Sequence, residues 1–198
     1  MRKIGITGSI ATGKSTLLAA FEKAGVPIIS ADAIVAELYT GDAVQPVEAL
    51  FPGVVTNGKI DRQELARRLA QDTSGFAKLE AVVHPLVRRK IADFLKTAEK
   101  EGHFAAAVEV PLLFESGHDY GFDIIAVTHV DEAIQKQRIL ARPGMSVEKK
   151  QTLLARQMPQ AEKIRQATWL FDTAQSRDTI DAKVAGLVAD LKVEAGRQ

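Results

Sequence analysis

KIGITGSIATGKS, Lys3 to Ser15, joins a short apolar run to a glycine-rich turn and then to the start of a helical pattern. Lys3 to Thr7 reads as a strand, and the pattern from about Lys14 to Lys23, closed by Gly25, as a helix. Between them, Gly8 to Ser15 fits G-x-x-x-x-G-K-[ST] in the place where that spacing has a mechanism, at a strand-to-helix junction. Gly8 and Gly13 permit backbone conformations and close approaches that a β-carbon obstructs, so the amides of a loop running through Ala11 and Thr12 can converge on phosphate oxygens. Lys14 then reaches the β and γ phosphates, Ser15 offers a hydroxyl to Mg²⁺, and the helix points its positive end at the same charge. Thr16 either assists at the α-phosphate or is an ordinary first-turn residue. The pattern implies a nucleoside triphosphate site, with ATP and Mg²⁺ as the expected cofactors.

Outward from this turn, short apolar runs alternate with longer amphipathic segments. Pro27–Ser30, Phe104–Val110, Asp123–Val130 and Thr168–Phe171 join Lys3–Thr7 as candidate strands, and the two longest are nearly continuous apolar runs, as expected where helices cover both faces. Helical patterns fall at about Asp32 to Ala49 with a break at Gly41-Asp42, Asp61 to Ala70, Pro85 to Glu101, Asp131 to Ala141, Ser146 to Arg156 and Asp178 to Val193. Asp61 with Glu64 resembles a capping box, and Pro85 suits a first helical turn. Phe51–Lys59 carries the turn signals of a loop or small hairpin. Five strands alternating with helices predict an α/β/α layered domain with a parallel sheet.

At 198 residues the chain fits one domain able to bury a sizeable core, and 46% hydrophobic with 26% charged residues is an ordinary globular composition. The absence of cysteine excludes a disulfide framework, a thiolate nucleophile and cysteine-based metal sites. Twenty-six basic against 25 acidic residues leave a net charge of +1, and each basic cluster has acidic neighbours. Nucleic-acid and membrane-surface partners are therefore not expected. No stretch is long and apolar enough to span a bilayer, and the start lacks a signal-peptide core, so a cytoplasmic location is expected.

In a parallel sheet consecutive strands end on one edge, where ligands of open α/β sheets bind. Asp32, just after the second run, is either a group that accepts a proton from an attacking hydroxyl and helps hold Mg²⁺, or an N-cap, or both. VPLLFE, Val110 to Glu115, follows the third run on that edge. Pro111 and Leu112 are candidate acceptor contacts, and Glu109 and Glu115 are either acceptor-side groups or solvated charges. His84 is either a polar contact near an acceptor or a structural histidine, and Arg88 follows it by four residues. The remaining histidines form no metal-ligand spacing. Arg138 and Arg142, four apart in an expected helix, either form a cationic lid closing over the nucleotide or a solvated basic face.

Phosphate turns serve several classes. A guanine-reading N-K-x-D segment and a D-x-x-G switch are both missing, which disfavours a GTPase, and for the aspartate that closes an apolar strand in an oligomeric ATPase the runs at Phe104–Val110 and Asp123–Val130 offer only Glu109 and Asp131 in loosely comparable places. A compact kinase of a small metabolite fits better; a nucleotide-dependent regulatory module is the alternative from another class. More specifically, Gly8–Ser15 followed by GVPIISADAIV (Gly25–Val35), LEAVVHPLVR (Leu79–Arg88), VPLLFESG (Val110–Gly117), ARPGMSVEKKQTLLARQM (Ala141–Met158) and LFDT (Leu170–Thr173) resembles the dephospho-coenzyme A kinase family over about residues 3 to 175. That resemblance implies transfer of the γ-phosphoryl group of ATP to the 3′-hydroxyl of dephospho-coenzyme A, the last step of coenzyme A synthesis. It implies a core of about residues 1–32, 103–133 and 165–198, a helical acceptor-binding segment at about 33–102 and a lid at about 134–160. By position it makes Asp32 the group acting on the hydroxyl, Lys14 and Ser15 the phosphate and magnesium groups, and Arg138 and Arg142 lid cations. Ser30, Ala36 and Thr173 depart from the family pattern, which has an aspartate, an arginine and an asparagine there. Oligomeric state is not legible.

Overall fold

The computed structural model describes residues 1–72, 74–146, 151, 153–155 and 157–197. Its chain divides into two compact units, Met1–Ile29 with Leu95–Gln198, and Ser30–Phe94. The first unit is built on a sheet of β1 (Arg2–Gly8), β2 (Ile28–Ser30), β5 (Ala105–Glu109), β6 (Ile124–His129) and β7 (Trp169–Asp172), in the order β2-β5-β1-β6-β7. β1 is central and runs parallel to both β5 and β6, with Gly5 opposite Val108 and Ile125, and β7 runs parallel to β6. These are the five strands that the apolar runs predict, each within two residues.

One sheet face, formed by Ile4, Ile6, Ala105, Ala107, Ala126 and Phe171, is fully or nearly fully buried against α1 (Lys14–Lys23) and the C-terminal α8 (Arg177–Ala195). Leu17 and Phe21 of α1 and Ile180, Val184, Val188 and Leu191 of α8 supply the covering stripes. The i, i+4, i+8, i+11 spacing in α8 lays one apolar ridge along the sheet. The opposite-face residues Ala106, Val108 and Val127 are also completely buried. That double burial explains why these strands read as continuous apolar runs rather than as alternating ones. α6 (Glu132–Leu140) follows β6, and α7 (Gln160–Arg165) precedes β7.

In the second unit, α2 (Ala31–Leu38), α3 (Val44–Leu50), the hairpin β3 (Val55–Thr56) and β4 (Lys59–Ile60), α4 (Arg62–Gln71) and the start of α5 (Gly75–Lys100) follow one another. Glu48 accepts the Gly53, Val54 and Val55 amides at 2.7, 3.1 and 3.0 Å, tying α3 to the hairpin. Asp61 caps α4 by accepting from Gln63 N and Glu64 N. The rest of the expected capping box does not form, because Glu64 instead binds Arg67 and Arg68 at 2.6 and 2.7 Å. The Asp61 amide that the box would use already donates to Val54 O at 2.7 Å, and the two guanidinium groups offer Glu64 stronger, charge-assisted bonds.

Two expectations about helices are corrected. Pro85 does not open a helix: α5 runs through it from Gly75 to Lys100. A ring inside a helix removes one hydrogen bond and costs about 3 kcal/mol. Val83, Val87, Ile91, Leu95 and Ala98 form a buried row across that point, and each large apolar side chain so buried returns about 1.5–3 kcal/mol, which outweighs the break. α6 ends at Leu140, with Ala141 as its cap, so Arg142 lies beyond the helix and not on its face with Arg138. Arg142-Pro143-Gly144 forces that stop. The expected helix at Ser146 to Arg156, and with it the middle of the expected lid, falls largely outside the described residues. No helix among the described residues is long and apolar enough to cross a membrane.

The two arginines lower the Glu64 carboxyl from its ordinary 4.5 to about 2. A lowered folded-state value adds stability above the ordinary carboxylate range and loses it as the proton returns. Wild type should therefore melt slightly above Glu64→Gln near neutral pH, with the gap closing as pH falls from 4.5 towards 2; melting curves across that range check this.

Candidate active site

At the end of β1 the backbone turns through Gly8 with almost no clearance. A β-carbon there would collide with the Thr128 side chain and lie 2.7 Å from Thr12 Oγ1 and from the Thr128 carbonyl oxygen. Gly13 has φ +85°, and a β-carbon on it would stand 2.9 Å from three atoms of Thr173. The two glycines of the motif are thus required by close packing as well as by conformation. Between them Ala11 holds φ +62° and is buried. A left-handed conformation costs a residue with a β-carbon roughly 1–2 kcal/mol.

Beneath the loop lies a set of buried threonine hydroxyls. Thr12 Oγ1 donates to Ser9 O at 2.8 Å and is paired at 2.8 Å with Thr128 Oγ1, itself on β6. Thr173 Oγ1 donates to Thr12 O at 2.8 Å, and Arg138 donates to Thr173 Oγ1 and Thr173 O at 2.9 and 2.7 Å. Arg138 is therefore fastened against the end of β7, under the loop. Lys14 Nζ donates to Gly8 O and Ser9 O at 3.0 and 3.2 Å, so its ammonium lies folded along the loop. No side chain caps the start of α1 and its first turn holds no acidic residue, while Ser15 is exposed there. An uncapped helix end, glycine-freed amides and a lysine are the groups from which anion sites are built. Thr16 N donates to Gly13 O at 3.0 Å, closing the first turn.

Asp32 occupies the second position of α2, and the N-cap is Ser30, so the capping alternative for Asp32 does not hold. Its carboxylate is exposed two residues past the end of β2. Pro111 and Leu112 lie in the turn after β5; Thr7 Oγ1 donates to Pro111 O at 3.4 Å and Leu112 is exposed. Glu115 is not a solvated charge. It pairs at 2.8 Å with Lys163, which is completely buried, and accepts from Met158 N at 2.8 Å. His84, expected at a helix start, sits exposed inside α5; Arg88 is half-buried one turn on, and no described residue accepts its Nε. Arg142 is exposed.

Sequence reasoning missed Thr128, Gln135, Gln157 and Lys163. With Ser9, two of these residues, Gln135 and Gln157, line a cavity of about 500 Å³ beside the loop. Lys163 stands in a polar stretch, QAEKIR, in which nothing marks one charge as buried. Gln135 is the exception, a polar residue four before Ile139 on the covered side of α6.

A family model described as dephospho-CoA kinase matches residues 2–178. The chain belongs to the dephospho-CoA kinase family. A dephospho-CoA kinase from Rhizobium etli is 45% identical over 197 residues, covering 100% of this chain and 97% of that protein. Among solved structures, a Thermus thermophilus protein superposes with TM-score 0.80 at 33% identity, covering 96% of this chain and 97% of that one. A dephospho-CoA kinase from Campylobacter jejuni does so with TM-score 0.68 at 25% identity and the same coverage. Membership makes the chain a phosphotransferase.

Thr173→Val removes the hydroxyl that serves both Thr12 O and Arg138. Leaving buried polar partners unsatisfied costs about 1–3 kcal/mol, so urea unfolding should show a loss of that size and a weaker thermal shift with nucleotide.

Proposed function

We propose that this chain transfers the γ-phosphoryl group of ATP, with Mg²⁺, to the 3′-hydroxyl of the ribose of dephospho-coenzyme A. The observation that carries the reading is the loop at Gly8–Ser15, uncapped at the start of α1 and fixed by Thr12, Thr128 and Thr173, in a chain whose family model spans residues 2–178. Gly8, Ala11, Thr12 and Gly13 shape the loop, and the amides up to Thr16 with the Lys14 ammonium receive the polyphosphate. Lys14 leaves the Gly8 and Ser9 carbonyls for phosphate oxygens of greater charge.

Asp32 takes the proton of the 3′-hydroxyl as its oxygen bonds to the γ-phosphorus and the bond from that phosphorus to the β-phosphate oxygen breaks, releasing ADP. The exposed position of Asp32, free of capping duty, supports this role. Ser15 and Asp32 are hard oxygen donors of the kind that hold Mg²⁺, which keeps most of its waters and binds through one or two protein oxygens and the phosphates. The segment at about 33–102, with His84 and Arg88, and the turn Pro111, Leu112 and Glu115 supply acceptor contacts. The segment at about 134–160 acts as lid, with Arg142 its exposed cation and Arg138 the one fastened next to the loop.

Three measurements test this. With Mg-ATP, dephospho-coenzyme A should stimulate ADP release far above nucleoside monophosphates, gluconate or shikimate; stimulation by one of those instead, or equal release without acceptor, defeats the reading. Asp32→Asn should lower turnover by about 10²–10⁴-fold while ATP binding is largely kept. Lys14→Ala should abolish most of the ATP-dependent rise in melting temperature.

A further inference from the structure

Ile10, at the tip of the loop, is held at both ends by glutamines from different elements. Its N–H donates to Gln157 Oε1 at 2.9 Å, and its carbonyl oxygen accepts from Gln135 Nε2 at 2.8 Å. Gln135 lies on α6 and is buried, at 7% exposure, so its amide has little freedom to point elsewhere. Gln157 is fixed through its neighbour: Met158 N donates to Glu115 Oε1, which the buried Lys163 holds at 2.8 Å. Just beyond, Gln160 pairs with both the amide and the carbonyl of Val130, at 3.2 and 2.9 Å, joining this stretch to the end of β6.

The carbonyl that Gln135 grips belongs to the peptide unit linking Ile10 to Ala11. In a trans peptide the carbonyl and the following N–H point in opposite directions. Gln135 therefore turns the Ala11 N–H away from itself, and no acceptor among the described residues takes that N–H. Ala11 is also the residue that pays for this arrangement, with φ +62° on a side chain that ordinarily avoids it. Such a conformation persists only where the surroundings over-determine it, and it is commonly kept for a functional reason.

We propose that Gln135 and Gln157 are positioning residues that clamp Ile10 and thereby hold Ala11 in its left-handed conformation, aiming the Ala11 N–H at a phosphate oxygen of the nucleotide. The proposal rests on the reading of Gly8–Ser15 as the ATP-binding loop. The clamp makes loop geometry depend on α6 and on the stretch ahead of α7, so the loop is shaped before nucleotide arrives.

A double-mutant cycle tests it, with affinity for the Mg²⁺ complex of the β,γ-imido analogue of ATP measured by calorimetry. Gln135→Leu should weaken binding about tenfold, the equivalent of one hydrogen bond, with little change in KM for dephospho-coenzyme A. In an Ala11→Gly background the same substitution should cost less than threefold, because glycine takes positive φ without strain. Gln157→Leu should follow the same pattern and serves as the reading if Gln135→Leu does not fold. Equal losses in the two backgrounds would reduce the glutamines to general supports and overturn the proposal, as would unchanged affinity in both variants. Wild type that phosphorylates dephospho-coenzyme A alongside either result sinks the clamp alone; wild type that fails to bind the analogue sinks the functional reading with it.

Discussion

The contact on which the site depends is the one between a bare glycine and a threonine: Gly8 sits against Thr128 with no space for a single extra carbon. From that contact the loop is built upward. Thr12 and Thr128 share a hydroxyl hydrogen bond in full burial, and Thr173 reaches in to take the Thr12 carbonyl. Buried carbonyls must find donors, and here the Thr12 hydroxyl serves Ser9 O, the Thr173 hydroxyl serves Thr12 O and the Arg138 guanidinium serves Thr173 O. Lys14 adds its own ammonium to the same set, donating to Gly8 O and Ser9 O. A loop held by so many buried partners is fixed in shape, the condition under which aligned dipoles act most effectively on charge.

Much of this was legible from residues alone. The five strands follow from apolar runs, and α1 matches the helical pattern at Lys14–Lys23 to the residue. The break at Gly41-Asp42 separates α2 from α3, and Phe51–Lys59 contains most of the hairpin. Such features are local: periodicity, turn residues and glycine placement fix them within a dozen positions. The motif itself was legible because its physics needs glycine, lysine and a hydroxyl at set intervals. The role of its glycines against Thr128 and Thr173 was not, since those partners lie more than a hundred residues away.

What escaped was decided by tertiary burial. Pro85 reads as a helix start, yet the apolar row from Val83 to Ala98 carries α5 through it. Arg138 and Arg142 look equivalent by spacing, but the turn at Pro143-Gly144 leaves one fastened to Thr173 and the other exposed. Glu115 looks like a surface charge until Lys163 is found buried beneath it. Thr173 reads as an ordinary turn residue after the last strand, yet its hydroxyl is the bridge between Arg138 and the loop. In each case the sequence supplies the residue type, and only the fold supplies its partner.

The sheet order has a consequence for how the polypeptide comes off the ribosome. β1 precedes the other strands of its sheet and lies between β5 and β6, whose partners for it begin at Ala105 and Ile124. Both of its edges thus stay unpaired until more than half of the chain has emerged, while an apolar strand with open edges invites association with other chains. The residues from Ser30 to Phe94, a compact unit with its own buried side chains, are made during that interval. Nascent chains should be at their most chaperone-dependent before Ile124 is exposed, because β1 waits through more residues than any other strand of the sheet for its second neighbour.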